Sequence, residues 1–365
     1  MDVPFVDLRA QYRAIYQDIN EVFNRVLKDA RFIGGPIISE FEEAFSQFAG
    51  VDHTITCANG TDALEIALEA LKIGQGDEVI VPSYSWKSTA SAVVRVGAHP
   101  VFVDVDPDYY SIDPNLLEAK ISRHTKAIIP VHFYGLPANM PEIMTLARKH
   151  GLMVIEDCAQ AHGAAINEQA IGTFGDLGTF SFFPSKNLGA YGDAGALVTN
   201  DHSLAERIRI ISRLGQKEKH HHVEIGRNSR MDVLQAAILS AKLPHLKEWI
   251  ARRRFVARSY RLAFADDDIK MQRIPDNFRH VYHLFVIQVN KRDQLKEYLA
   301  DRGVTTQIHY PQPLTMLKPF HTDGKYPVAE EMSKRILSLP VYPELTDDQI
   351  QYVIRNVKTF FKTKK

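Results

Sequence analysis

A single lysine, Lys186, follows a short apolar run that ends at Pro184. The run, residues 177–183, is typical of a buried strand, which would place the lysine at the end of a sheet. An amine that is removed from water has a lowered pKa and becomes nucleophilic near neutral pH. A solvated loop lysine is the commoner role for this residue type. Lys186 therefore becomes a candidate catalytic residue only if other strand ends supply matching chemistry.

A carboxylate follows a second apolar run. Asp157 and Gln160 come directly after residues 153–155. Because burying an unpaired carboxylate is costly, Asp157 needs a cationic or hydrogen-bonding partner. A protonated pyridine nitrogen is such a partner, and a helix N-cap is the alternative role. Asp157 is therefore a second candidate residue.

The first strand is expected at residues 54–58, and a phosphate-binding turn is expected directly after it. Gly60 and Thr61 open a helix there, where free N–H groups and the helix dipole attract an anion. An ordinary N-cap turn is the alternative. Ser181 could add a hydroxyl to the same phosphate. Trp86 follows a further strand and could stack on a flat ring, although core packing is the usual role of an aromatic side chain.

Together these residues match one ligand, which has a ring with a cationic nitrogen, an aldehyde for a lysine and a phosphate. Pyridoxal 5'-phosphate has these groups, and proteins usually bind it through a Schiff-base lysine and an acidic partner for the ring nitrogen. The sequence therefore predicts a pyridoxal-phosphate site.

The order of elements could bring these positions together. Strands and helices alternate from residue 51, and the runs 79–81, 127–129 and 153–155 are continuously apolar. Such runs are typical of a mostly parallel sheet covered by helices on both faces, and ligands bind at the carboxyl ends of its strands. We therefore predict an α/β fold with a large cofactor-binding domain over residues 1–246, including an N-terminal helical arm. Residues 247–365 would form a smaller α+β domain.

The composition excludes several classes of protein. The 365 residues contain 44 Lys+Arg and 44 Asp+Glu, so the formal charge is zero and favours neither nucleic acid nor an anionic membrane as a partner. Two distant cysteines predict no disulfide framework and no zinc site, and they favour a cytoplasmic protein. No signal peptide or membrane span is expected. The adjacent His220, His221 and His222 could suggest a metal, but neighbouring side chains rarely converge on one ion, so nucleotide or solvent contact is favoured.

At the level of motifs, the chain resembles the DegT/StrS-type nucleotide-sugar aminotransferases, which have the fold type I architecture of aspartate aminotransferase. The resemblance covers nearly the whole chain. It rests on Phe32-Ile33-Gly34-Gly35-Pro36, Ala58-Asn59-Gly60-Thr61-Asp62-Ala63-Leu64, Gly76-Asp77-Glu78-Val79-Ile80-Val81-Pro82, Glu156-Asp157-Cys158-Ala159-Gln160-Ala161-His162-Gly163, Ser181-Phe182-Phe183-Pro184-Ser185-Lys186-Asn187-Leu188-Gly189, Asn228-Ser229-Arg230-Met231-Asp232 and His309-Tyr310-Pro311.

The resemblance implies roles at the cofactor. Lys186 would form the Schiff base, and Asp157 would pair with the pyridinium nitrogen. Gln160 would contact the 3-hydroxyl of the ring, and Trp86 would stack on the ring.

It also implies that two subunits share each active site. Gly60, Thr61 and Ser181 would hold the phosphate together with Asn228 of the neighbouring subunit, so the active unit would be a homodimer. The sugar nucleotide would be contacted by Tyr310 and by the histidine loop, His220, His221 and His222.

The implied reaction is the transfer of an amino group from L-glutamate to a UDP- or dTDP-linked 3-keto sugar. The product would serve the biosynthesis of surface polysaccharide, lipopolysaccharide or glycoconjugate amino sugars. A 4-aminotransferase acting on a 4-keto-6-deoxy sugar is the alternative, and residues 215–230 favour the 3-keto branch. A sugar dehydratase of the same fold is less favoured, because histidine replaces the lysine in that branch. A regulator without catalysis is disfavoured by the intact Lys186 and Asp157.

Overall fold

The structure is a computed structural model that describes residues 1–265 and 267–363. It begins with a helical arm of α1 (Leu8–Ala14), α2 (Tyr16–Asp29) and α3 (Pro36–Ala49). The apolar pattern predicts one helix from about Leu8 to Lys28, but the chain breaks at Ile15, where φ is −119° and ψ is 25°. Pro36 suits the first turn of α3, because the N–H that proline lacks would have no partner there.

The large part of the molecule is built on a seven-stranded sheet with the order β1-β9-β8-β5-β4-β2-β3. In chain order the strands are β1 (His53–Cys57), β2 (Glu78–Pro82), β3 (His99–Val103), β4 (Thr125–Ile128), β5 (Met153–Asp157), β6 (Ala165–Ile166), β7 (Gln169–Ala170), β8 (Leu177–Ser181) and β9 (Gly195–Thr199). β6 and β7 form a hairpin outside this sheet. β9 runs antiparallel to β1 and β8, and the other pairs are parallel. The predicted mostly parallel α/β sheet is confirmed.

Helices cover both faces of the sheet, namely α4 (Gly60–Ala70), α5 (Ser88–Arg95), α6 (Met140–His150) and α7 (His202–Ile211). Neighbouring residues of one strand belong to different cores: Val79 packs in the cluster that contains residues of α4 and α5, and Ile80 packs in the cluster that contains residues of α6. Because successive strand residues point to opposite faces, both faces need apolar side chains. This explains the continuous apolar runs in the sequence.

The chain then forms a short hairpin, β10 (Gln216–Glu218) and β11 (His221–His222), followed by α8 (Val233–Lys242) and α9 (Leu246–Ala263). The sequence pattern predicts a long helix from Asp232 to about Phe264 with an interruption near Pro244, and the 3-10 turn at Leu243–His245 confirms the interruption. The remaining elements are β12 (Lys270–Met271), β13 (Phe278–Arg279), β14 (Phe285–Gln288), α10 (Arg292–Ala300), α11 (Pro327–Arg335), β15 (Ile336–Leu339) and α12 (Asp347–Thr363).

β12, β14 and β15 form a separate sheet with its own apolar core, built mainly from residues after 255. Val3 joins this core and pairs with Val304, and β13 pairs with β6 of the large part. A domain boundary between residues 246 and 247 stays a prediction. Within the described residues, no helix combines the length and the apolar character needed to cross a membrane.

Candidate active site

A cavity of about 380 Å³ opens at the carboxyl ends of β1, β2, β5 and β8. The cavity lies at the edge where ligands of such sheets usually bind. The cavity is lined by residues from these strand ends and from the C-terminal part: Asn59, Gly60, Thr61, Leu64, Ser85, Trp86, Ser88, Val131, Asp157, Ala159, Gln160, Ser181, Phe183, Ser185, Lys186, Asp193, His283, His309 and Tyr310.

Lys186 lies in the loop that follows β8, and its backbone N–H donates to Phe183 O at 2.8 Å. Its amine has no hydrogen-bond or ion-pair partner among the described residues. Burial lowers the pKa of Lys186 to about 8, although the charge of Asp157 raises it. About a tenth of the amine is therefore unprotonated and nucleophilic at pH 7.

Asp157 ends β5 with a buried carboxylate. Its Oδ1 accepts from Ala159 N–H at 3.2 Å and its Oδ2 accepts from the Thr89 hydroxyl at 3.0 Å. Burial raises the pKa of Asp157, and these two hydrogen bonds and the charge of Lys186 oppose that effect. A cationic group in the cavity would stabilise the ionised carboxylate further.

The N-terminus of α4 forms another part of the cavity wall. Asn59 caps the helix by accepting from Asp62 N–H at 2.9 Å, while the N–H groups of Gly60 and Thr61 have no partner among the described residues. A Cβ at Gly60 would lie 2.6 Å from Ser181 Cβ, so only glycine permits this approach of α4 to β8. The predicted phosphate-binding residues are thus adjacent.

Gln160, Trp86 and Tyr310 form a further part of the cavity wall. Gln160 Oε1 accepts from Tyr134 N–H at 2.7 Å, and its Nε2 donates to the Tyr310 hydroxyl at 3.3 Å. The Trp86 and Tyr310 rings have centroids 5.2 Å apart. Trp86 is 47% exposed, and Lys87 Nζ lies 5.4 Å from the centroid of its ring.

Two predicted groups lie outside this cavity. Asn228 is exposed and pairs with Arg213, and His220, His221 and His222 are exposed on and beside the hairpin β10–β11. Ser229, next to Asn228, accepts from Ala58 N–H at 3.1 Å, so this segment does lie beside the end of β1. Action of these residues in a second subunit's site remains a proposal.

Several polar residues in or beside the cavity were not predicted. Ser88 and Thr89 begin α5, and the Ser88 hydroxyl lies 2.7 Å from that of Thr61. Two hydroxyls after a strand end were the available signal for them. His283 and His309 come from the C-terminal part, whose fold against the sheet no local pattern specified.

A buried group of His132, Glu156 and Cys158 has the proximity of metal ligands. However, Glu156 accepts three backbone N–H groups at 2.8 Å and contacts His132 Nε2 at 3.0 Å. His132 Nδ1 accepts from Ala138 N–H at 3.0 Å. Because these contacts already use the ligand atoms of Glu156 and His132, the group links β5 to the chain around it.

The residues present fit pyridoxal phosphate. The cavity offers an unpaired lysine amine, a buried carboxylate that needs a cation, and a helix N-terminus with hydroxyls for a phosphate. In this arrangement Lys186 would bind the aldehyde, Asp157 would bind the ring nitrogen and Trp86 would stack on the ring.

Comparison with known proteins gives concordant results. A sequence model described as the DegT/DnrJ/EryC1/StrS aminotransferase family matches residues 13–358. The chain is 48% identical over 350 residues to the UDP-N-acetyl-3-dehydro-alpha-D-glucosamine 3-aminotransferase of Acidithiobacillus ferrooxidans, with 95% of each chain covered. It is 40% identical over 362 residues to the dTDP-3-amino-3,4,6-trideoxy-alpha-D-glucose transaminase of Streptomyces venezuelae, with 98% and 95% covered. The solved structure of NtdA from Bacillus subtilis with bound cofactor PMP has a TM-score of 0.94 at 32% identity, covering 99% of this chain and 85% of that one.

Proposed function

This chain belongs to the DegT/DnrJ/EryC1/StrS aminotransferase family, whose cofactor is pyridoxal phosphate, and we propose that it transfers an amino group from L-glutamate to C3 of a nucleotide-linked 3-keto sugar. The observation that carries the proposal is the meeting of Lys186, Asp157 and the α4 N-terminus in one cavity. A dehydratase of this fold would lack the lysine, and a protein without catalysis would not need its amine to be unpaired.

Bound pyridoxal phosphate supplies an electron sink for cleavage of a bond at the carbon that bears nitrogen. Asp157 maintains that capacity by holding a proton on the ring nitrogen through its negative charge. At about 4 Å and an effective dielectric constant near 20, such an attraction amounts to about 4 kcal/mol before desolvation. Hydrogen bonds from the Thr89 hydroxyl and the Ala159 N–H orient the carboxylate of Asp157.

Lys186 is the proton carrier of the reaction. As the free base, its Nζ accepts the proton from the carbon of the amino donor and returns it on the other side of the transfer. A pKa of about 8 suits both steps, because the amine can gain and lose a proton near neutral pH. The α4 N-terminus and Ser181 hold the phosphate, so that the reacting groups stay within reach of Nζ.

The position of the ketone is supported by the two relatives named above. Both carry "3-dehydro" or "3-amino" in their names, although one acts on a UDP-linked and the other on a dTDP-linked sugar. We therefore propose amination at C3 and treat the nucleotide as the variable to be measured. The product would be an amino sugar for surface polysaccharide or lipopolysaccharide.

We further propose a cytoplasmic homodimer with shared active sites. Ile225, in the segment that carries Asn228, is 96% exposed, and Phe183 at the cavity rim is 52% exposed. Exposed apolar side chains at these places favour burial against a second subunit. Cys57 and Cys158 are both free thiols, which fits a reducing compartment.

The test is incubation of the purified holoenzyme with L-glutamate and a panel of UDP- and dTDP-linked sugars that have their ketone at C3 or C4. We expect 2-oxoglutarate and a 3-amino sugar, identified by mass spectrometry, from the 3-keto substrates. Lys186→Ala is the matched control and should form neither product. Faster amination of the 4-keto sugars would overturn the assignment of C3.

A further inference from the structure

Lys242, the last residue of α8, has no solvent-exposed surface. Its Nζ donates to Gln11 Oε1 at 2.9 Å and to Gly189 O at 2.7 Å. It also lies 4.1 Å from the centroid of the Tyr191 ring. Among the residues that the structure describes, no carboxylate lies within ion-pair distance of this amine.

These contacts favour the protonated form of the Lys242 amine. An ammonium has three N–H donors, and Nζ has two oxygen acceptors and one aromatic face. A neutral amine would direct its lone pair at one of them, each of which is a region of negative potential. Burial lowers the pKa of Lys242 to about 7, and the negative charge of Glu344 opposes that effect. The two oxygen acceptors and the aromatic face are the groups in direct contact with the ammonium.

Gly189 closes the loop that carries Lys186. A Cβ at Gly189 would lie 2.3 Å from Pro184 O, so the two ends of this loop touch. The hydrogen bond from Lys242 to the Gly189 carbonyl therefore fixes the closing end of the loop, three residues beyond Lys186. Tyr191, just after the loop, is fixed to the same helix by its N–H, which donates to Gln235 Oε1 at 2.9 Å.

The other partner of Lys242 lies in the N-terminal arm. Gln11 is the buried residue of α1, and its side-chain oxygen has a hydrogen bond with Nζ. We propose that Lys242 is a positioning residue for Lys186, which ties the catalytic loop to α8 and to the N-terminal arm through one buried ammonium. This proposal rests on the role of Lys186 in the proposed function.

The experiment compares variants on both sides of the amine. Lys242→Met keeps an unbranched apolar side chain that is one atom shorter and removes the N–H donors and the charge. Tyr191→Leu removes the aromatic face, whereas Tyr191→Phe keeps it and is the matched control. Because Tyr191 is 38% exposed, its variants should fold even if Lys242→Met does not.

Two measurements separate positioning from general stability. The first is amide hydrogen exchange of residues 182–192 in the cofactor-free protein, which should become about tenfold faster in Lys242→Met and Tyr191→Leu and stay unchanged in Tyr191→Phe. The second is the steady-state kinetics of the holoenzyme, in which kcat should fall about tenfold with little change in the KM for glutamate.

Exchange of residues 182–192 at the wild-type rate in both Tyr191→Leu and Lys242→Met would overturn the proposal. So would a lower melting temperature with wild-type kcat. The exchange measurement needs neither cofactor nor sugar, so it tests Lys242 even if no keto sugar in the panel reacts. Failure of the proposed function and failure of this inference are therefore distinguishable.

Discussion

Replacing Asp157 by asparagine should leave the melting temperature of the cofactor-free protein unchanged or raise it, and should lower kcat/KM. The substitution keeps the shape of the side chain and an oxygen that can accept from Ala159 N–H, so it removes the charge with little change in packing. Thr89 can accept from the new amide, because its hydroxyl is both donor and acceptor. The effect of the variant is therefore mainly electrostatic.

The cofactor-free protein should lose no stability from this change above the folded pKa of Asp157. Burial raises the pKa of Asp157 above its ordinary value of 3.8. A carboxyl group whose folded pKa is raised contributes stability below its unfolded pKa, and that contribution is lost as the pH rises through the folded value. Above its folded pKa the ionised Asp157 is past that loss and remains buried, so Asp157→Asn should melt there at the same or a higher temperature than the wild type.

Catalysis should change in the opposite direction. The attraction to a cationic ring nitrogen is about 4 kcal/mol at an effective dielectric constant near 20, and desolvation reduces the net value to roughly 2–4 kcal/mol. The corresponding loss in kcat/KM is roughly 30- to 1000-fold. It should appear in the half-reaction with glutamate, measured by stopped-flow absorbance of the cofactor.

The assay therefore pairs thermal unfolding of the cofactor-free protein with single-turnover kinetics of the holoenzyme. Thr89→Val is the control, because it removes one hydrogen bond to Asp157 and leaves the charge. A kcat/KM within threefold of wild type, or a cofactor-free Asp157→Asn protein that melts several degrees lower, would refute the role given to this carboxylate.

Three further predictions concern the phosphate, the amine and the subunit contact. Gly60→Ala places a Cβ 2.6 Å from Ser181 Cβ and should weaken cofactor binding about 100-fold in equilibrium dialysis, whereas Gly74→Ala, whose Cβ meets nothing closer than 3.4 Å, should not. The rate at which the cofactor-free protein captures pyridoxal phosphate should rise with pH about a midpoint near 8, because the unprotonated Lys186 amine is the nucleophile; a midpoint near 10.5 would contradict the lowered pKa. Inactive Lys186→Ala and Asn228→Ala chains should be mixed in equal amounts, so that about half of the dimers contain one chain of each kind. If Asn228 acts across the dimer, each mixed dimer holds one intact site, and the mixture should regain about a quarter of wild-type activity. No recovery would place Asn228 in its own subunit's site.

The strand ends could be predicted because they depend on local signals. β2 (Glu78–Pro82) contains the predicted run 79–81, and β5 and β8 begin at the predicted residues, although β8 ends at Ser181 and not at residue 183. Continuous apolar runs, turn residues and a lysine or carboxylate directly after them are all visible within a few residues of sequence. The part of the cavity wall that comes from the strand ends could therefore be predicted from the sequence.

The remaining wall could not be predicted, because distant contacts position it. His283 enters the cavity through the approach of its backbone to Gly135, where a Cβ would lie 2.9 Å from His283 N. Arg253 also holds this segment by donating to the carbonyl groups of residues 282 and 283. Strand β9 was missed as well, because Gly195 at its start reads as a flexible loop residue when its pairing with β1 is unknown.

The charges of the residues that line the cavity explain why phosphate binding should depend on close contacts at the start of α4. Among the described residues that line it, Lys186 is the one lysine or arginine. Burial lowers the pKa of His309 to about 4 and lowers that of His283 as well, so both rings are neutral at pH 7. Because these residues of one subunit supply no second cation, its contribution to binding a dianionic phosphate would come from the helix dipole, the free N–H groups and the hydroxyls at the start of α4. These groups act only at close range, so the contact that requires Gly60 should matter more for cofactor binding than any single charge in the cavity.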